Sequence, residues 1–126
     1  SRSHAPFSGC WGLLGFVQDQ GNCGASWAIA AAGSYSDALC IATNASAPGP
    51  DPLSAMDVLT CTPKKFAAFG CAGAVLTAGF DYFVAHGACS GGAKGDEVTC
   101  KPYPWSGSEG PGLNETATPK CERLCA

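Results

Sequence analysis

The stretch QDQGNCGASWA, Gln18 to Ala28, changes character at Ser26, and the rest of the chain is read outward from that change. Upstream, Pro6, Gly9, Gly12, Gly15 and Gly21 interrupt the apolar residues before any period is established, so residues 1–22 are expected to be irregular. Downstream, SWAIAAAGSYSDALC from Ser26 to about Cys40 is alanine-rich. Trp27, Ile29, Ala31, Tyr35 and Leu39 spread around the wheel, which predicts a helix buried on most sides. Ala32 and Gly33 are read as positions that let neighbours approach closely.

Beyond this helix, Thr43 to Pro52 (TNASAPGPDP) has the composition of a surface loop. Ser54 opens SAMD, a weaker relative of the capping box with Asp57 at its third position, so a short helix is expected from Ser54 to about Cys61, stopped by Pro63. After a linker from Thr62 to Gly70, the segment AGAVLTAGFDYFVAHGA places Val75, Leu76, Gly79, Phe80 and Phe83 at helical spacing and ends at Gly87, a C-cap glycine. Past Cys89 the chain is rich in Gly, Pro and Ser. There KPYPWSGSEGPG allows only short regular elements, and the cysteines are expected to order the region.

The whole chain has 126 residues with 10 acidic against 7 basic side chains, a net charge of -3 and a charged fraction of 13%. Such a length holds one modest domain, and the balance supplies no basic block for nucleic acid or for an anionic membrane surface. No apolar run approaches the roughly 18 residues of a membrane span, and no charged-then-apolar leader precedes Ser1, so the chain reads as a mature product or a piece of one. Nine cysteines approach the enrichment of disulfide scaffolds, and the odd number leaves at least one without an intrachain partner. A zinc site is not expected: the tightest spacing is Cys121 to Cys125, with no second close pair and no nearby histidine. Asn44-Ala45-Ser46 and Asn114-Glu115-Thr116 are N-glycosylation sequons in loop-forming surroundings. Together with the cysteines they point to a secretory, oxidising compartment.

Around Gln18 to Ala28 the sequence resembles the papain-like cysteine peptidases. The resemblance continues in order through SDALCIATNAS, LSAMDVLTC, GCAGA, FDYFVAHG, SGG, TCKPYPW and TPKCERLC, a succession similar to the cathepsin B branch, and runs from about Cys10 to the end. The resemblance implies an α+β papain-like fold, of which this chain carries mainly the helical left domain over 1–126, with disulfide-stapled loops. In that family the second cysteine of QGxCGxCW, at the start of the central helix, is the nucleophile. The helix end and a neighbouring imidazolium lower its pKa from about 8.5 to about 3 to 4. Carried over, Gln20 stands at the oxyanion position and Trp27 follows the nucleophile, whose own position holds Ser26. Gly24, Trp27, Gly73 and Ala74 are the implied substrate-binding positions.

Several departures shape the expected function. A serine hydroxyl does not form the thiolate–imidazolium pair on which the family's chemistry depends, and the family's histidine and asparagine come far downstream of the nucleophile. The two histidines here, His4 and His86, are read as surface or helix-terminus residues. The glycine-rich cleft segment appears as Cys71-Ala72-Gly73-Ala74, where the Ala74 methyl is expected to crowd a substrate backbone. The stretch equivalent to the branch's occluding loop, roughly Tyr103 to Pro119, holds no histidine and no cysteine, so carboxydipeptidase action is not expected.

The resemblance also implies four bridges: Cys10 with Cys40, Cys23 with Cys71, Cys61 with Cys121 and Cys100 with Cys125. Spacing alone does not choose among the many pairings of eight cysteines. Cys89 is left unpaired, and is read either as a small buried hydrophobe or as a link to another chain. These features make the expected function that of a catalytically inactive pseudopeptidase, a secreted or lysosome-like structural or protein-binding module whose partner is a right-domain chain or a larger extracellular assembly. The alternative is one chain of a two-chain cysteine endopeptidase in which Ser26 replaces the catalytic cysteine naturally or by engineering. A sugar- or matrix-binding domain is a third reading, resting on three tryptophans in unrelated contexts. No cofactor is implied.

Overall fold

The computed structural model describes residues 10, 18–43, 52–96 and 99–122. Among them three α-helices carry the architecture: α1 (Ser26–Ala42), α2 (Ala55–Cys61) and α3 (Ala78–His86). Short 3-10 turns lie at Lys64–Phe66, Gly70–Ala72 and Glu115–Ala117. Extended pairing among the described residues is confined to two isolated antiparallel bridges, Leu53 with Ser90 and Ala68 with Ala74.

Helix α1 is the axis of the core. Trp27, Ala28, Ala31, Ala32, Ser36 and Cys40 are buried, a stripe at three- and four-residue steps that faces α2 and α3. Small side chains there let the other helices come close. The closest approach is supplied by Gly79 on α3, where an added Cβ would run into the methyl of Ala31. Gly33, expected to serve that purpose, has open space at its Cβ position. The correction follows from rotation: Ala31 faces α3, while Gly33, two residues on, points elsewhere. Further along the α1–α3 seam, Tyr35 stacks on Phe83 with ring centroids 4.7 Å apart.

Helix α2 begins as its sequence predicts. The Ser54 hydroxyl accepts from the Asp57 backbone N–H at 2.9 Å, satisfying one of the helix's orphan donors. The same hydroxyl donates to the Lys101 carbonyl at 2.8 Å, and the Ser54 N–H donates to the Cys89 carbonyl at 2.7 Å. Ser36, buried on α1, donates to the Ala32 carbonyl and accepts from the Leu53 N–H at 2.8 Å, tying α1 to this point.

Helix α3 is shorter than its periodicity predicts. It starts at Ala78, so Val75 and Leu76 precede it and stand 51% and 82% exposed, while Phe80 is also exposed and only Gly79 and Phe83 of the expected stripe are buried. Two features delay the helix: Gly73 has φ +111°, outside any helical region, and Ala74 pairs with Ala68 across a bridge. Gly87, at φ +70°, closes α3 as expected, its N–H donating to the Phe83 carbonyl at 2.9 Å.

Bridges Cys10–Cys40, Cys23–Cys71 and Cys61–Cys121 are present. Cys100 is disulfide-bonded, while Cys125 and Asn44 lie outside the described residues. Cys89 is the free cysteine among the described residues and is half-buried. Among the described residues no helix is long and apolar enough to cross a membrane.

Candidate active-site remnant at the start of α1

Three ties fix the residues that lead into α1. Cys23 is bonded to Cys71, the Gly24 N–H donates to the Cys71 carbonyl at 2.8 Å, and the Trp27 indole N–H donates to the Gly70 carbonyl at 3.1 Å. The approach at Gly24 is so close that an added Cβ would lie 2.5 Å from the Cys71 oxygen, which makes glycine the residue that fits. Trp27 is buried, while Ser26 beside it is exposed as the first residue of α1. Its preceding N-cap, Ala25, has no side chain to cap the helix, and the first turn carries no acidic group. The positive end of the helix dipole is therefore open at Ser26, where a hydroxyl, not a readily ionised thiol, stands.

The loop bearing Gln20 is clamped from its other side. The Asp19 carboxylate accepts from the Gly21 N–H and the Gly107 N–H, each at 2.8 Å, and these bonds hold its pKa below the ordinary aspartate value, Gly107 contributing most. Asn22 donates from its N–H to the Glu109 carbonyl at 2.5 Å and accepts from the Gly112 N–H at 2.9 Å. The buried Tyr103 donates its hydroxyl to the Gln20 carbonyl at 2.5 Å. Burial, and then the Asp19 carboxylate, push Tyr103 up to about 12, so it remains a donor across the physiological range. The Gln20 side chain is exposed, leaving its amide to solvent. Glu109 is fixed in turn by Lys94, which donates to its carboxylate at 2.6 Å.

On the opposite wall, Gly73 follows the Gly70–Ala72 turn. The methyl at Ala74, expected to crowd the path beside it, is half-buried and packed against the core. Thr118 braces this turn: its hydroxyl accepts from the Cys71 N–H at 2.8 Å, and its side chain leaves no room for a Cβ on Gly70. His86 lies in the last turn of α3 with its ring 4.9 Å from that of Tyr82, and no hydrogen bond joins it to Ser26. A separate cavity of about 230 Å3 lies behind the turn, lined by Lys64, Glu115 and Lys120 among others; neither Ser26 nor Gln20 borders it. Among the described residues no group of three or more His, Cys, Asp or Glu is placed to hold a metal.

The structure thus brings Gly24 and Trp27 against Gly70 and Cys71, and places Gln20 and Ser26 on the exposed side of the same junction. Sequence reasoning missed the clamp from Tyr103 to Gly112 and the role of Asp19. Asp19-Gln20-Gly21 carried a usable signal, since an aspartate two residues before glycine favours a side-chain-to-backbone turn.

A mostly helical, disulfide-held module with this junction at the head of its central helix has the form of a papain-like left domain. The chain belongs to the papain family: the family profile described as "Papain family cysteine protease" matches residues 9–125. Within it the similarity is to the cathepsin B branch. "Cathepsin B-like cysteine proteinase 1" of Haemonchus contortus is 33% identical over 118 residues, covering 87% of this chain and 34% of that protein. "Cathepsin B-like cysteine proteinase 4" of Caenorhabditis elegans is 40% identical over 87 residues, covering 69% of this chain and 25% of that protein. A "Cathepsin B-like cysteine proteinase" of Schistosoma japonicum is 31% identical over 117 residues, covering 86% and 33% respectively. The chain spans about a third of the length of the first of these relatives.

Proposed function

We propose that this chain is a catalytically inactive cathepsin B-like pseudopeptidase working as a secreted structural or protein-binding module. The observation that carries the reading is Ser26, exposed at the open end of α1 where the family's thiolate would stand. The surrounding junction is ordered, so the change is one of chemistry and not of local fold. In this reading residues 1–126 are a single left domain, and a right-domain chain or a larger extracellular assembly is its partner. Exposed apolar side chains, Phe69, Val75, Leu76, Phe80, Val84 and Leu113, support a life in company. The disulfides and the exposed Asn114 sequon support a secreted or lysosome-like, glycosylated protein. Asn114 Oδ1 accepts from the Thr116 hydroxyl at 2.6 Å.

Incubation of the native protein with peptide substrates and an epoxide thiol probe tests the reading. No turnover and no label at the head of α1 are expected, and hydrolysis that persists through purification would reject it. The second reading, one chain of a two-chain endopeptidase whose cysteine is replaced by Ser26 naturally or by engineering, is favoured by the intact setting of Gly24 and Trp27. A cysteine codon at position 26 of the source gene, followed by a downstream histidine and asparagine, would select it.

A further inference from the structure

The cavity of about 230 Å3 behind the Gly70–Ala72 turn takes no part in the junction at the head of α1. Its walls are tied together covalently and by hydrogen bonds. Leu59 and Thr60 line it from the last turn of α2, and the Cys61–Cys121 bridge joins the end of that helix to the segment that brings in Thr118 and Lys120. Thr118 also stands against Gly70, its hydroxyl accepting from the Cys71 N–H at 2.8 Å. A cavity built in advance reduces the ordering that a ligand must impose.

The charge in this cavity runs against that of the whole chain, which is net -3. Lys94 and Lys101 are paired elsewhere, with Glu109 and Asp57. Lys64 and Glu115 both line the cavity and pair with each other at 3.2 Å, so their charges offset. Lys120 lines it as well, and among the described residues no acidic side chain lies within ion-pairing distance of its ammonium. One uncompensated positive charge is left.

The hydroxyls divide into an acceptor and a donor. Thr60 commits its proton to the Met56 carbonyl at 2.9 Å, which leaves its oxygen to accept. Thr118 accepts from Cys71 and donates to no group among the described residues, so its proton is available. Buried Leu59 and Ala68, with Pro119, supply an apolar floor. An ammonium with a hydroxyl donor suits a carboxylate, the floor suits a short aliphatic stem, and the Thr60 oxygen suits an amide N–H beside that stem.

We propose that this cavity binds the carboxylate side chain of an acidic residue in a peptide or protein, shared between the Thr118 hydroxyl and the Lys120 ammonium. The choice of a polypeptide as the source rests on the protein-binding role proposed above. Occupation reaches the cleft wall, because a Thr118 hydroxyl that donates to a carboxylate becomes a stronger acceptor for the Cys71 N–H.

The test is a titration of the native, disulfide-intact protein at about pH 7, where carboxylates are ionised, and at low salt, followed by amide NMR. The probe is acetylated, amidated Gly-Glu-Gly, with its glutamine counterpart as control. Saturable shifts are expected at Ala68, Thr118 and Lys120, with the Cys71 amide proton moving downfield, for the glutamate peptide alone. Lys120→Gln should weaken binding about tenfold through loss of a charge-assisted hydrogen bond, Lys120→Arg should restore it, and Lys94→Gln should leave it unchanged. Butyrate has the stem and the charge but no amide N–H for Thr60, and should bind several-fold more weakly. Absence of shifts at these amides, equal shifts from the glutamine peptide, undiminished binding to Lys120→Gln, or butyrate binding as tightly as the peptide would overturn the proposal. A failed titration leaves the catalytic assay at the head of α1 untouched, so the two proposals fail separately.

Discussion

Between the helices, Ala28, Ala31, Ala78 and Gly79 bring backbones close, and Val58, Leu59 and Phe83 fill the remaining space, so burial of apolar surface sets the arrangement. From Ala88 to Glu122 the described residues hold one 3-10 turn and otherwise irregular backbone, and order comes from specific polar contacts and bridges. Tyr103 to Gln20, Gly107 to Asp19, Lys94 to Glu109, Lys101 to Asp57 and Cys121 to Cys61 each tie one loop residue to one place elsewhere. The helical region tolerates small losses by repacking. In the loop region each tie is made once, so the loss of one is not made up by its neighbours.

The junction at Cys23–Cys71 belongs to both regimes, and cutting it is the hardest test of the contrast. Cys23→Ala with Cys71→Ala removes a bridge of sequence separation 48, for which chain entropy gives a loss of about 4 kcal/mol in chemical denaturation. A loss under about 1 kcal/mol would show that packing alone holds the junction. Asp57→Ala, which strands the Lys101 ammonium in a nearly dry site, is expected to cost about 3 kcal/mol or more by the same measurement. A cost below about 1 kcal/mol would mean that water reaches the pair. Within the helices, Gly79→Ala drives a methyl into Ala31 and is expected to cost about 1–3 kcal/mol, whereas Gly33→Ala, with open space, should gain about 0.5–1 kcal/mol. Equal effects from the two substitutions would refute the assignment of the α1–α3 seam to Gly79.

The smallest effect concerns acid. Asp19 and Glu109 both have folded-state pKa values depressed below 3.8 and 4.5: Asp19 by the backbone N–H of Gly107 and then of Gly21, Glu109 by Lys94 and then the backbone N–H of Ser106. Depressed carboxylates contribute stability above their unfolded values and lose it as pH falls through the folded ones. Amide exchange at Gly21 and Gly107 should accelerate below about pH 4 while α1 remains protected. Simultaneous loss of protection in both places would erase the distinction between the two regions.

Much of the helical half was legible because its signals are local. Ser54 with Asp57 marked the start of α2, Gly87 the end of α3, and the run of alanines the body of α1. The start of α3 was misread because periodicity does not register a bridge between Ala68 and Ala74 or a positive φ at Gly73, both set by the wall they build. Gly33 and Gly79 differ only in what faces them, which depends on how two helices are rotated. At the junction, the positions of Gly24, Trp27 and Ser26 came through a resemblance carried in order along the chain. The clamp on Gln20 is made mostly by backbone groups of Gly107, Glu109 and Gly112, whose partners no side-chain pattern announces.

The described bridges also impose an order of events on biosynthesis. Cys10–Cys40 encloses Cys23, Cys23–Cys71 encloses Cys61, and each loop therefore contains one end of the next. In a chain made from its N-terminus, Cys23 is present long before Cys71, with Cys10, Cys40 and Cys61 all available sooner. Pairing by order of arrival gives the wrong partners. The native set is reached only when α1 has formed and turned Cys23 away from its early neighbours, or when an isomerase reshuffles the first bonds.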